Sequence, residues 1–219
     1  MCQRFEEKRM NEKGFTLWFT GLYGSGKTTL ARMAEKEILS RGFKVEVLDG
    51  GAIRNSLSKG LGFNKDDRDA HIRRLGFVCN LLTRNGVVAI VSAISPYRAI
   101  RDENREQIGS FVEVYVECPV KTCMERDVKG LYKKAVDGEI RNFTGVSDPY
   151  EAPLNPEVRV ETDKESPDQC LAKILRVLEK LNYLPPKGED AEDPYPNEEV
   201  YSIEDEDKIK KRLEDLGYI

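Results

Sequence analysis

The chain has 219 residues, 39% hydrophobic and 34% charged, with a formal net charge of −4. That suits one or two domains with a sizeable core, and no apolar run approaches the ~20 residues that span a bilayer. The charged start from Met1 to Met10 lacks the apolar stretch of a signal peptide.

The five cysteines, Cys2, Cys79, Cys118, Cys123 and Cys170, contain no C-x-x-C pair. They fit buried, reduced thiols in the cytoplasm rather than a disulfide framework or a zinc site. Charge is uneven. Residues 184–219 hold twelve Asp/Glu and five Lys/Arg, which leaves a body of +3. A mildly basic body suits anionic small molecules, and nothing resembles the basic stripe of a nucleic-acid surface.

Phe15 to Thr20 reads as a short apolar strand. It runs into Gly21-Leu-Tyr-Gly-Ser-Gly-Lys-Thr28, which fits G-x-x-x-x-G-K-[ST] at every position. A helix follows over 27–40, with Leu30, Ala34 and Ile38 recurring every four residues. Strand, glycine loop and helix is the context this motif needs. Gly21, Gly24 and Gly26 permit turns that a Cβ would forbid. Loop N–H groups can then converge on phosphate oxygens at a helix N-terminus. The nucleotide cradle so defined takes in Gly21, Gly24, Ser25, Gly26, Lys27, Thr28 and Thr29. Lys27 supplies a point charge for terminal phosphates, and the Thr28 hydroxyl is the ligand expected for Mg²⁺. ATP and Mg²⁺ are the implied cofactors.

Further strands are expected at 44–48, 87–92, 111–117 and 158–161. Val87 to Val91 is apolar without alternation, as in a parallel strand covered on both faces. Helices are expected at 66–85, 97–109, 119–126 and 168–182, the last with an apolar face of Leu171, Ile174, Leu175 and Leu178. The alternation implies an α/β fold, a parallel five-stranded sheet with helices on both faces. Ligands of such sheets bind at the carboxyl ends of the strands.

Asp49 ends the strand at 44–48, so its carboxylate is expected to face the phosphates. It also reads as the N-cap of a helix over 51–58, and the two roles are compatible. Arg54, Arg68, Arg73 and Arg74 follow closely. Arginine suits paired hydrogen bonds to a planar anion, although each alone also reads as a solvated surface residue. After the 87–92 strand, Pro96 biases Ser95 away from helix, which would leave its backbone and hydroxyl free at the sheet edge.

Residues 127–156 break the rhythm with Gly130, Gly138, Gly145, Pro149, Pro153 and Pro156. A loop of that length suggests a lid over a phosphorylated substrate. The body is bounded at 1–183. From Leu184 the chain becomes acidic and proline-rich, a linker, before a short amphipathic helix from about Glu204 to Leu216.

These pieces together resemble the adenylylsulfate (APS) kinase family over about Gly14 to Leu181. The matching stretches are Gly21–Thr29, Leu48–Gly50, Leu61–Phe63 with Asp67-Arg68, Ile72–Gly76, Ile94–Arg98, Arg126-Asp127 with Lys129–Lys133, and Phe143–Gly145 with Asp148–Pro153. The resemblance implies a P-loop nucleoside triphosphate hydrolase-type kinase fold with a lid loop. It implies phosphorylation by ATP of the 3′-hydroxyl of adenosine 5′-phosphosulfate, giving PAPS. It assigns Asp49 to the carboxylate near Mg²⁺ and the 3′-hydroxyl. Phe63 and Phe143 become the pair sandwiching the substrate adenine, and Arg54 and Arg68 ligands of its phosphosulfate. Ile94 and Ser95 become substrate contacts, Lys133 a lid contact, and Arg126 a residue beside the donor adenine. Ser95 matches a serine that is phosphorylated in some members. Direct in-line transfer needs no such intermediate, so Ser95 is read as a binding residue within the catalytic set of Lys27, Asp49 and Ser95. Family members are commonly dimers, so a homodimer is expected, and the tail is a candidate contact for a pathway protein.

The sequence departs from the family at three places. Asp-Gly-Asp-Asn becomes Asp49-Gly50-Gly51-Ala52, removing a carboxylate and an amide. The asparagine before the paired arginines becomes His71, the chain's one histidine. His71 is expected either to donate to the substrate as asparagine does, and to favour an anion when protonated, or to lie on a helix surface. Tyr23, at a position often serine, is expected to be non-contacting. Two other readings are a kinase of the same fold with a different small nucleotide or sugar acceptor, and a non-catalytic nucleotide-binding module. Acceptor affinity insensitive to Phe143→Ala marks the first. ATP binding without transfer to any acceptor marks the second.

Overall fold

In chain order the elements are β1 (Thr16–Thr20), α1 (Lys27–Ser40), β2 (Val45–Asp49), α2 (Gly50–Leu57), α3 (Lys65–Arg84), β3 (Val88–Ser92), α4 (Arg98–Ile108), β4 (Phe111–Glu117), α5 (Val120–Glu125), α6 (Leu131–Val136), β5 (Val158–Glu161) and α7 (Pro167–Lys180). The computed structural model describes residues 14–186. The helix expected at 204–216, the tail and Cys2 lie outside the described residues.

The five strands form one parallel sheet in the order β2-β3-β1-β4-β5. All five residues of the central β1 are buried. Its side chains alternate between two apolar layers, as the period of two requires. Phe15, Leu17 and Phe19 pack with Val88, Ile90, Val112, Val114 and Val116 beneath α1 and α7. Trp18 packs with Ala89, Val91 and Phe111 beneath α3 and α4. Helices therefore cover both faces. Each fully buried large aliphatic or aromatic side chain here contributes roughly 1.5–3 kcal/mol of transfer free energy.

The helices follow local rules. α1 buries Leu30, Ala34 and Ile38. α7 opens on a capping box, with Ser166 accepting from the Gln169 N–H and the Gln169 side chain accepting in return from Ser166. Its buried line is Cys170, Ile174 and Leu178, with Leu171 and Leu175 on its flanks. The apolar face is thus turned slightly from the expected one, because Cys170 packs as a small apolar residue. Cys79, Cys118, Cys123 and Cys170 are all free and buried. Leu184, at the start of the acidic segment, is also fully buried against this layer.

Every expected strand and long helix lies within two residues of its place. Segment 127–156 is more ordered than a plain loop. It contains α6, which begins because the Asp127 carboxylate accepts from the N–H groups of Leu131 (2.9 Å) and Tyr132 (2.7 Å). Among the described residues no helix is long and apolar enough to cross a membrane.

Candidate active site

Parallel strands bring their carboxyl ends to one edge of the sheet, where the segments after β1, β2 and β3 line a cleft of about 610 Å³. Gly21 leaves β1 so close to β4 that a Cβ there would lie 2.4 Å from the Val116 carbonyl oxygen. Gly26 adopts a left-handed φ of 96° as the N-cap of α1, a conformation that glycine reaches without strain. Gly24, Gly26, Lys27, Thr28 and Thr29 line the cleft, and Ser25 is buried beneath. Lys27 Nζ donates to the Leu22 carbonyl at 2.7 Å. Burial lowers its pKa to about 8, against the opposing pull of Cys123 and Asp49.

Asp49 caps α2 as expected and also faces the glycine loop. One carboxylate oxygen caps α2 by accepting from Gly51 and Ala52 N–H groups at 2.9 and 3.0 Å. The other accepts from the Thr28 hydroxyl at 3.3 Å, and Thr28 Oγ1 lies 3.1 Å from Ser92 Oγ. A hydroxyl and a carboxylate are hard oxygen donors, which fits Mg²⁺.

Arg54, Phe63, Arg68 and His71 also line the cleft. The Arg54 guanidinium sits 4.4 Å from the Phe63 ring centre and donates to the Gly62 carbonyl. Arg68 is buried. It donates to the Phe63 carbonyl at 2.7 Å, to Thr144 Oγ1 at 2.9 Å and to the Asn142 carbonyl. It therefore ties the segment bearing Phe63 to the segment bearing Phe143, and much of its donor capacity is committed inside the protein. Arg73 and Arg74 point elsewhere. Arg73 pairs with Glu103 at 2.7 Å, and Arg74 donates to the Leu57 carbonyl at 2.8 Å.

His71 corrects the surface expectation. It is only 5% exposed, so it is no surface residue. Its Nε2 lies 3.1 Å from the Gly50 carbonyl and its Nδ1 2.8 Å from Ser58 Oγ. A carbonyl only accepts, so Nε2 carries the proton and Nδ1 accepts from Ser58. Burial, reinforced by Arg54, lowers the pKa to about 4. The ring is neutral at physiological pH and offers no positive charge to an anion.

Ile94, Ser95 and Pro96 line the cleft past β3, but Ser95 is not free. It is 1% exposed and holds a φ of +40°, a conformation rare for a residue with a side chain. Its hydroxyl accepts from the Trp18 indole at 3.0 Å, and its carbonyl accepts from Arg101 at 2.6 Å. Arg101 also donates to Glu113 and to the Glu151 carbonyl, both at 2.7 Å. The Glu151 N–H donates to the Pro96 carbonyl at 2.8 Å, and Tyr150 Oη lies 2.9 Å from Thr20 Oγ1. The far end of the 127–156 segment is thereby fastened to the Ser95 turn. Arg101 and Trp18 escaped the sequence reading because an arginine in a charged helix and a tryptophan in a strand carry no sign of this contact.

Arg126 lies at the cleft rim and donates to the Thr162 carbonyl at 2.7 Å. Phe143 and Lys133 do not line the cleft. Phe143 stands edge-on to Tyr132, ring centres 5.0 Å apart, and Lys133 is exposed on α6. Tyr23 is a contact after all. It lines the cleft, its ring stands 6.3 Å from that of Phe143, and its carbonyl accepts from the Tyr132 hydroxyl at 2.9 Å.

A glycine loop between a buried parallel strand and a helix, with Lys27, Thr28 and Asp49 converging beside it, defines a P-loop kinase fold. The sequence profile of the family described as Adenylylsulphate kinase matches residues 13–161. The chain belongs to that family. An adenylyl-sulfate kinase of Rippkaea orientalis is 58% identical over 175 residues, covering 80% of this chain and 97% of the relative. A probable bifunctional SAT/APS kinase of Sorangium cellulosum is also 58% identical, over 80% of this chain and 30% of its own length. The solved Mycobacterium tuberculosis APS kinase, in complex with AMPPNP and APS, superposes with a TM-score of 0.73 at 41% identity, covering 76% of this chain and 98% of that one.

Proposed function

We propose that this protein is an adenylyl-sulfate kinase, transferring the γ-phosphoryl group of ATP to the 3′-hydroxyl of adenosine 5′-phosphosulfate to give PAPS and ADP. The observation that carries the reading is the convergence of Lys27, Thr28 and Asp49 on a cleft that Arg54, Phe63 and Arg68 also line. Phosphoryl transfer demands positioning and charge neutralisation more than covalent chemistry.

The loop from Gly21 to Thr29 binds the ATP phosphates through its N–H groups and Lys27. The phosphate charge favours the ammonium form of Lys27 against its burial. Arg126 lies on the donor-adenine side. Thr28 and Asp49 would hold Mg²⁺, which when bound neutralises charge on the transferring group. Asp49 faces the acceptor and takes the proton of the 3′-hydroxyl as the new O–P bond forms and the bond to the β-phosphate oxygen breaks.

Phe63 stacks on the acceptor adenine, and Phe143 joins it when the 127–156 lid brings its ring to the cleft, an interaction worth roughly 1–3 kcal/mol per base. Arg54 faces the phosphosulfate. Arg68 serves the same subsite and locks the two aromatic-bearing segments together. Ile94 and Ser95 contact the substrate at the strand end, and Lys133 reaches it from the 127–156 lid. The kinase domain pairs as a homodimer and works in the cytoplasm. Four buried free thiols favour that reducing setting.

An acceptor panel tests the reading. ATP with Mg²⁺ is supplied with adenosine 5′-phosphosulfate, AMP or a simple sugar, and ADP release is followed. Turnover is expected to be strongly selective for the phosphosulfate. Preference for a sugar, or ATP binding without transfer to any acceptor, overturns it.

A further inference from the structure

The helix that carries Asp49 at its cap and Arg54 on its cleft side is weakly founded. α2 opens on Gly50-Gly51-Ala52, and glycine is the poorest helix former after proline. Its start also has little room to drift, since a Cβ on Gly50 would lie 2.9 Å from that of Ala93. Asp49 closes the first turn from within. From outside, α3 grips both ends of α2. His71 donates through Nε2 to the Gly50 carbonyl at the first residue and accepts through Nδ1 from Ser58, the C-cap residue. Arg74, one turn further along α3, donates to the Leu57 carbonyl at 2.8 Å.

With both ring nitrogens committed, His71 has no conventional hydrogen bond left for a ligand, although it lines the cleft. Any shift of α2 would move Asp49 relative to Thr28, now 3.3 Å away, and Arg54 relative to Phe63. We infer that His71 is a positioning residue: a neutral imidazole that clamps α2 at both ends and so aims Asp49 and Arg54 at the acceptor. It holds a helix that opens on two glycines, rather than binding substrate. The inference rests on the kinase reading above and adds to it a role for the histidine.

The Ser58 hydroxyl separates the two roles. Ser58 is 1% exposed and stands outside the cleft lining, so Ser58→Ala removes one arm of the clamp without touching the site. Wild type, S58A, H71N and the double variant are compared for KM of adenosine 5′-phosphosulfate, KM of ATP, kcat and thermal midpoint. S58A is expected to raise the acceptor KM or lower kcat by about threefold to tenfold, the weight of one buried hydrogen bond, with the ATP KM within about twofold. H71N is expected to do more, and the double variant no more than H71N, because the two act as one unit. S58A with wild-type kinetics beside an impaired, folded H71N overturns the inference in favour of direct contact. H71N with wild-type kinetics overturns it in favour of no role. A wild type that forms no PAPS rejects the kinase reading itself, so the two failures are distinguishable.

Discussion

Arg101 is the strongest single test of how the site is held. Its guanidinium is 2% exposed and makes three hydrogen bonds of 2.6–2.7 Å, to Ser95, Glu113 and Glu151. Arg101→Met keeps much of the side-chain length and removes the charge. The Glu151 carbonyl then loses its guanidinium donor, the buried Ser95 carbonyl keeps only a long contact from Thr20 Oγ1 at 3.5 Å, and among the described residues Glu113 keeps Arg105, at 3.3 Å. Breaking a buried ion pair from one side costs about 3–5 kcal/mol. The surviving Arg105 contact argues for the lower end, about 3 kcal/mol. For a chain of this size that corresponds to a fall of roughly 6–12 °C in Tm. Thermal unfolding by circular dichroism reads it directly. Adding Glu113→Gln should recover part of the loss, because it removes the charge that Arg101→Met leaves poorly matched. A fall below about 2 °C would refute the reasoning, since it would mean that the network is dispensable.

His71 predicts an acid weakness. Its folded pKa of about 4 lies below the unfolded 6.5, so the neutral form is the one the fold stabilises. That stability is present above pH 6.5 and is lost as pH falls toward 4. About 1.5 kcal/mol of it disappears between pH 6.5 and 5. Urea unfolding should show His71→Gln losing less stability than the parent over that interval, and equal slopes would contradict the burial argument. Gly76→Ala should destabilise by about 1–3 kcal/mol, because its Cβ would lie 2.0 Å from Asn104 Oδ1. Asn104→Ala should restore tolerance, and a neutral single variant would refute that packing. Phe63→Ala and Phe143→Ala should each raise the acceptor KM by about fivefold to a hundredfold, from the loss of one stacking partner, with the ATP KM little changed. An unchanged acceptor KM for either variant would remove that ring from the acceptor site.

The sheet was legible because a strand covered on both faces has nowhere to place polar side chains, so Val88 to Val91 announces itself. The nucleotide loop was legible because its backbone demands glycines at fixed places. α2 was legible over 51–58 through its cap at Asp49, although Gly50 and Gly51 argue against a helix and α3 holds it in place. α6 was hidden in a run rich in glycine and charge, where Asp127 alone marks its start. What sequence could not show is which polar groups meet across long separations. Arg68 reads as a substrate ligand by its type, yet it spends hydrogen bonds on Phe63, Asn142 and Thr144. His71 reads as a donor to an anion, and burial makes it a neutral bridge. Ser95 reads as free at the sheet edge, and Trp18 and Arg101 engage its hydroxyl and carbonyl.

The central claim is transfer from ATP to one particular oxygen. Purified protein would be incubated with ATP, Mg²⁺ and adenosine 5′-phosphosulfate, and the nucleotide product characterised by phosphorus NMR and mass. The expected product keeps its 5′-phosphosulfate and gains a phosphate on the 3′-oxygen, formed together with one equivalent of ADP. Folded protein that yields no such product at saturating phosphosulfate, or that phosphorylates another position, would contradict the claim.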